Sequence, residues 1–161
     1  MAEKEKRAKT PEITTNRKAL RDYFIVERFE AGIELKGTEL KSIRAGFANL
    51  TNAFARVDNG EVFLMDADIR AYDNASHEQH VPKRPRRLLL HKAEIQKLFS
   101  ATAIEGQTIV ALGMYWKKSR VKVEIGIGKG KVSHDKRADL KEKATKRETD
   151  REVARFNKHH T

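Results

Sequence analysis

The chain has 161 residues, and its 34 Lys or Arg against 23 Asp or Glu give a formal net charge of +11 at pH 7. That length fits one domain with an extension, and that charge asks for a polyanionic partner, nucleic acid before an anionic membrane surface. The lack of cysteine excludes a disulfide framework, a cysteine zinc site and a thiol nucleophile, while no apolar run nears the ~20 residues of a membrane span and MAEKEKRAKTPE lacks a signal peptide's apolar middle, so a cytoplasmic protein is expected.

Residues 1–15 are polar without periodicity and predict a flexible arm. YFIVERFEAGIELKG alternates imperfectly and predicts two short strands, or one bent at Ala31-Gly32. GTELKSIRAG predicts a helix of about two turns, with Thr38 as N-cap, Gly46 as stop and Leu40 and Ile43 sharing a face. AFARV-DNG-EVFLMDADI is a hairpin around Asp58-Asn59-Gly60. Asp73 to Pro85 is a polar loop. LLLHKAEIQKLFSATAIEG predicts an amphipathic helix after Leu90, with Ile95, Leu98 and Phe99 on its inner face. TIVALGMYW and VKVEIGIG are strands joined by the basic turn Lys117-Lys118-Ser119-Arg120.

This order has too few crossover helices for a parallel sheet. The predicted fold is mainly β with flanking helices: a small closed antiparallel barrel of the oligonucleotide-binding kind over 16–131, preceded by the arm and followed by a tail over 132–161. The tail is rich in helix formers, with Asp139 and Glu142 placed i,i+4 before Lys143 and Lys146. Its apolar residues Leu140, Ala144, Val153 and Phe156 form no stripe. Such pairs yield roughly 0.2–0.5 kcal/mol each, against about 1–2 kcal/mol to order each residue. The tail should be disordered alone and helical against a polyanion.

Charge is uneven. Over 83–131 twelve cations face only Glu94, Glu105 and Glu124, while 1–82 is close to neutral. If Val121, Val123 and Ile125 face a core, then Lys118, Arg120, Lys122 and Glu124 point outward, a row suited to phosphates. Tyr115 and Trp116 could stack on bases, though adjacent strand residues cannot both point outward. The alternating Gly126, Gly128 and Gly130 read as a flexible strand exit, either letting backbone approach RNA or hinging the tail. Asp66 and Asp68, at i,i+2 on one strand, raise a magnesium-dependent nuclease as a competing reading, outweighed by the plain polar face of a hairpin strand. His77 and His80 lack further zinc ligands. No cofactor or metal is implied.

The motifs NRKALRDYFI, FEAGIELKGTELKSIRAG, RPRRLLLHKAEI, YWKKSRVKVEIGIGKGK and HDKR, in that order and over nearly the whole chain, resemble small protein B, the SsrA-binding protein family of bacteria. The resemblance implies a non-enzymatic RNA-binding barrel that carries transfer-messenger RNA to stalled ribosomes, one monomer per RNA and away from membranes. By position it places body contacts to the tRNA-like part of that RNA at Asn16, Glu30, Leu90, His91 and Lys122, with Lys129 and Lys131 nearby. Lys118 and Arg120 join them from the cation row. It also implies a tail that becomes helical in the empty messenger channel, with His134 on a base of the decoding centre beside Asp135, Lys136 and Arg137. Val132 stands where the family often has a further lysine, and His91 where some members carry Asn. The alternative kept beside this reading is an unspecific single-strand-binding barrel, which would not discriminate folded tRNA-like RNA from unstructured RNA.

Overall fold

The computed structural model describes residues 11–72, 79–131 and 133–159. They divide into a body up to Lys129 and a second unit from Gly130 onward. The body runs β1 (Glu12–Thr15), α1 (Arg17–Asp22), β2 (Tyr23–Ile33), α2 (Gly37–Arg44), β3 (Ala48–Asn49), β4 (Phe54–Asp58), β5 (Glu61–Met65), β6 (Asp68–Ile69), β7 (Arg86–Leu89), α3 (Lys92–Thr102), β8 (Gln107–Lys117) and β9 (Arg120–Gly130); the second unit is α4 (Ser133–His159). The architecture is mainly β sheet with helices.

Strands pair in the order β1-β8-β4-β5-β7-β2-β9, and β9 also pairs with β8, so the hydrogen bonding closes through β8 while β1 adds to β8 from outside that loop. β3 and β6 form a separate two-stranded piece. The core sits inside this ring: Ala31, Leu64, Ile109, Ala111, Val123 and Ile125 are fully buried there. The first ten residues lie outside the described ones, but Glu12–Thr15, expected in the arm, form β1 and pair with β8 at Thr15↔Gly113.

Turn chemistry sets both long hairpins. Asp58 pairs with Glu61 across Asn59-Gly60, whose φ values are 49° and 75°, the mirror-image turn that matches strand twist. The β8–β9 turn is of the same length, Lys117 opposite Arg120, yet Lys118 (φ 49°) and Ser119 (φ 64°) take it without a glycine.

Strand β8 carries a bulge. Ala111 pairs with Ile125 and Gly113 with Glu124, leaving Leu112 as the extra residue. Before it Ile109 and Ala111 face the core; after it Met114 and Trp116 do. Val110 and Leu112 point the other way, into a small outer cluster with Ala19 of α1, Tyr23 and Ile25. The bulge therefore turns Trp116 inward and leaves Tyr115 on the outer face.

Four local expectations change. β2 is one continuous strand of eleven residues. The N-cap of α2 is Lys36, whose N–H donates to Glu39 Oε1 at 2.8 Å, and Thr38 lies inside the helix. Phe99 is 63% exposed, and Ala101 rather than Phe99 joins Leu98 in the interior, because α3 lays a narrower stripe against the sheet. Gly126 and Gly128 are no flexible exit: both are buried inside β9, where β2 crosses close above them. A Cβ at Gly126 would stand 2.9 Å from Leu112 Cδ1 and 3.0 Å from Ile25 Cγ2, and one at Gly128 would stand 3.1 Å from the Tyr23 ring.

Candidate nucleic-acid interface

Strands β7, β2 and β9 are neighbours in that order. Gly32 of β2 pairs with Leu89 of β7, and Lys122 Nζ lies 3.6 Å from where a Gly32 Cβ would stand. The missing side chain gives the lysine room to lie across β2 beside Leu89, itself 47% exposed. The chain leaves β7 through Leu90, partly buried against the core, and exposed His91, whose N–H donates to Glu94 Oε1 at 3.1 Å to start α3. This surface thus gathers Lys122, Leu89, Leu90 and His91.

On the same edge, Glu30 of β2 accepts from the Tyr115 hydroxyl and, at 3.0 Å, from Lys117 Nζ. Burial acts to raise its pKa, but these hydrogen bonds and the charges of Lys117 and Lys122 outweigh it and hold the carboxyl below the ordinary glutamate range. Glu30 is therefore a charged fixed point that orders Tyr115 and Lys117. Beyond them Lys118 and Arg120 are exposed at the turn, with no carboxylate ion-paired to either among the described residues. Residue spacing offered no sign of the Lys117–Glu30 contact, which joins positions 87 apart.

Other expected contacts fall elsewhere. Lys129 pairs with Gln107 at the far end of the β8–β9 hairpin, about 30 Å along the strand from Arg120 at ~3.3 Å per residue. Asn16 is only 3% exposed. Its amide donates to Leu50 O at 2.7 Å and Ala111 O at 2.8 Å, and its Oδ1 caps α1 by accepting from Ala19 N. With its amide and Oδ1 engaged within the fold, Asn16 holds α1 against β8. Glu124, expected outward, is 9% exposed and accepts from Arg28 at 2.7 Å.

Part of the basic run is also interior. Arg86 and Glu39 are both fully buried and ion-paired, and Arg84 Nε donates to the same carboxylate at 3.0 Å. Arg86 further donates to the carbonyls of Ala67 and Pro82 at 2.8 and 2.9 Å. Burial works to raise the Glu39 carboxyl; the hydrogen bonds from Arg84, Lys36 and Arg86 outweigh it and hold the group below its usual range.

The nuclease reading loses its geometry. Asp66 sits in a left-handed turn (φ 56°) after β5, and Asp68 begins the β6 pairing with Asn49, so the two do not share one strand face. His80 is 3% exposed and uses both ring nitrogens: Nε2 donates to Ile69 O at 2.8 Å, leaving Nδ1 to accept from the Thr38 hydroxyl at 3.0 Å. His77 lies outside the described residues, among which no group of three His, Asp or Glu is placed to hold a metal ion. No helix among them is long and apolar enough to cross a membrane.

The second unit is a single helix of 27 residues, with Leu140 and Val153 each 54% exposed. Lys131 precedes it, and Arg137 is exposed on its first turns. The backbone of His134, Asp135 and Lys136 is helical, while their side chains, like Val132, lie outside the described residues.

The model of the SmpB protein family matches residues 13–155. The chain belongs to the SmpB family. An SsrA-binding protein of Geotalea uraniireducens (strain Rf4) is 54% identical over 136 residues, covering 84% of this chain and 90% of the relative. One from Desulforudis audaxviator (strain MP104C) is 48% identical over 150 residues, 92% of this chain and 95% of the relative. A solved structure described as "tmRNA-SmpB: a journey to the center of the bacterial ribosome" aligns with a TM-score of 0.64 and 42% identity, over 74% of this chain and 85% of that one. The family match takes in β1 through most of α4, so the edge that carries Glu30 and Lys122 and the long helix both belong to the SmpB pattern.

Proposed function

We propose that this chain binds transfer-messenger RNA (SsrA RNA) through its body and delivers it to stalled ribosomes for trans-translation, as a non-catalytic adaptor with one monomer per RNA. Support comes from relatives named for SsrA binding at about half identity over most of their length, together with a solved tmRNA–SmpB assembly. The observation that carries the site is the side-by-side placement of Glu30, Gly32, Leu89–His91 and Lys122 on β7, β2 and β9. We read the returning sheet as a barrel of the oligonucleotide-binding kind, with this edge as its RNA face.

In that reading Lys122, Lys118 and Arg120 meet phosphates, His91 and Leu90 pack on ribose or an unpaired base, and Glu30 holds Tyr115 and Lys117 in place. Lys129 forms a separate phosphate contact at the other end of the hairpin, with Lys131 following in the tail. The tail is disordered alone and takes the α4 form in the vacant messenger channel, with His134, Asp135, Lys136 and Arg137 at the decoding centre. A ribosome still filled with message would exclude it, which selects stalled ones.

Binding of the tRNA-like part of the RNA tests the body site. Lys122→Ala should weaken it about ten- to a hundredfold, a loss of about 1.4–2.7 kcal/mol at tenfold per 1.4 kcal/mol. Lys97→Ala, on the outer side of α3, should leave it within twofold. Equal affinities for Lys122→Ala and the unmodified chain would remove the site, and equal affinity for unstructured RNA would favour an unspecific single-strand binder.

A further inference from the structure

Gly32 stands near the end of the eleven-residue strand β2, directly opposite Leu89 of β7. Glycine weakens a strand, and within one it marks a bulge, a bend or a place where a ligand or another backbone comes close. The backbone of β2 does not ask for it: among the described glycines only Gly46, Gly60 and Gly106 have positive φ, so Gly32 has a conformation open to other residues. Nor does a buried neighbour ask for it. A Cβ at Gly126 would meet the buried side chain of Leu112, but one at Gly32 would stand 3.2 Å from Leu89 Cβ, 3.5 Å from Leu89 Cδ1 and 3.6 Å from Lys122 Nζ. Leu89 is exposed and Lys122 half-buried, so both neighbours belong to the surface.

All three residues lie on one outer face. Ala31 of β2, Leu88 of β7, and Val121 and Val123 of β9 point into the core, which turns Gly32, Leu89 and Lys122 outward. Bare backbone, an apolar side chain and an ammonium therefore meet at one point. No carboxylate is ion-paired to Lys122 among the described residues, and Glu30, two residues before Gly32, accepts from Tyr115 and Lys117 instead. A nucleotide offers the complement of such a point, an anionic phosphate joined through its ribose to a flat base. An unstacked base lies closest where the backbone beneath it carries no side chain.

We propose that Gly32, Leu89 and Lys122 seat one unstacked nucleotide of the RNA bound at this edge, with its phosphate on Lys122 and its base over Gly32 against Leu89. Gly32 is the positioning residue: its missing Cβ leaves the space that Lys122 and the base share. The exposed Leu89 is thereby an apolar contact in its own right, beside the partly buried Leu90 that the resemblance implies. The inference rests on the body-site reading above and adds to it a nucleotide and a reason for the glycine.

The test measures affinity of the full chain for the tRNA-like part of transfer-messenger RNA, with melting followed on the same samples. Gly32→Ala should weaken binding about tenfold while melting no lower than the unmodified chain, since alanine suits a strand better than glycine. Leu89→Asn should weaken binding by a similar factor, and Leu89→Met, which keeps the volume, should restore it to within about twofold. Because either substitution empties the same seat, Gly32→Ala made together with Lys122→Ala should weaken binding by clearly less than the product of the two separate losses. Should Gly32→Ala not fold, the two Leu89 variants and the combination of Leu89→Asn with Lys122→Ala read the same seat. Affinities for folded Gly32→Ala and Leu89→Asn within twofold of the unmodified chain overturn this inference, and Lys122→Ala then shows whether the body site still stands. Losses that multiply overturn it too, as does a Gly32→Ala loss that disappears once binding is referred to the folded fraction, which makes the glycine a packing residue. An unmodified chain that does not bind the RNA sinks the body-site reading first, and this one with it.

Discussion

Asn16 and Glu39 show what a polar side chain does when the fold closes over it. Removing the Asn16 amide leaves the carbonyls of Leu50 and Ala111 without their donor and uncaps α1. Asn16→Ala should cost on the order of 2–4 kcal/mol in urea unfolding while changing the RNA affinity of the folded fraction little. A large affinity loss at full stability would return Asn16 to the RNA face. Glu39→Gln strands a fully buried Arg86 and should cost about 3–5 kcal/mol. The Glu39 carboxyl is held below its unfolded value of 4.5. Its contribution is therefore present above that pH and is lost as pH falls through the lower folded value. Urea midpoints followed from pH 7 down to pH 3 should show an acid-side loss in the unmodified chain that is reduced in Glu39→Gln. Neither role was legible in the sequence: partners 34 and 95 positions from Asn16, or 47 from Glu39, leave no local spacing signal. By contrast the burial of Val121, Val123 and Ile125 was legible from their alternation, and Lys118 and Arg120 are exposed as expected, while Glu124, expected in the same outward row, is buried.

At the scale of elements, the hairpins were readable from turn residues and TIVALGMYW was readable as a strand, but which of its residues face the core was not. A strand covered on both faces has no alternation to read, and the bulge at Leu112, which changes the inward residues from odd to even, leaves no mark in composition. The glycines of GIGKGK misled for the same reason. Gly126 and Gly128 permit the close approach of β2, and that becomes visible only once β2 lies beside β9. Gly126→Ala should destabilise the body by about 1–3 kcal/mol, since Leu112, Ile25 and the Glu27 carbonyl at 3.3 Å must all give way. Gly130→Ala, which meets nothing within 4 Å, should be nearly silent. Equal melting temperatures for the two variants would contradict the packing described. The β8–β9 turn holds two non-glycine residues at positive φ. Replacing Lys118-Ser119 with Asn-Gly should therefore raise stability by about 1 kcal/mol, and on the proposal that Lys118 meets a phosphate it should also give a slightly flatter salt dependence of RNA binding.

Across the whole molecule, the charge map drawn from sequence overstates the basic surface of the second half. Arg84 and Arg86 are taken by Glu39, Arg87 by Glu34 and Glu61, and Lys97 by Glu27. Among the described residues of the body's second half, Lys83, Lys92, Lys118, Arg120, Lys122 and Lys129 are left without an ion-paired carboxylate, and three of them lie on the Glu30–Lys122 edge and its basic turn. Among the described residues the buried apolar core ends at Ile127. In α4, Leu140 and Val153 stay exposed. Truncation after Lys131 removes no core residue among the described ones and tests the division of labour most directly. The account predicts that the truncated chain binds the tRNA-like part of transfer-messenger RNA within about threefold of the full chain, yet supports no tagging on stalled ribosomes. RNA affinity lost along with the tail, or tagging that survives without it, would contradict the account.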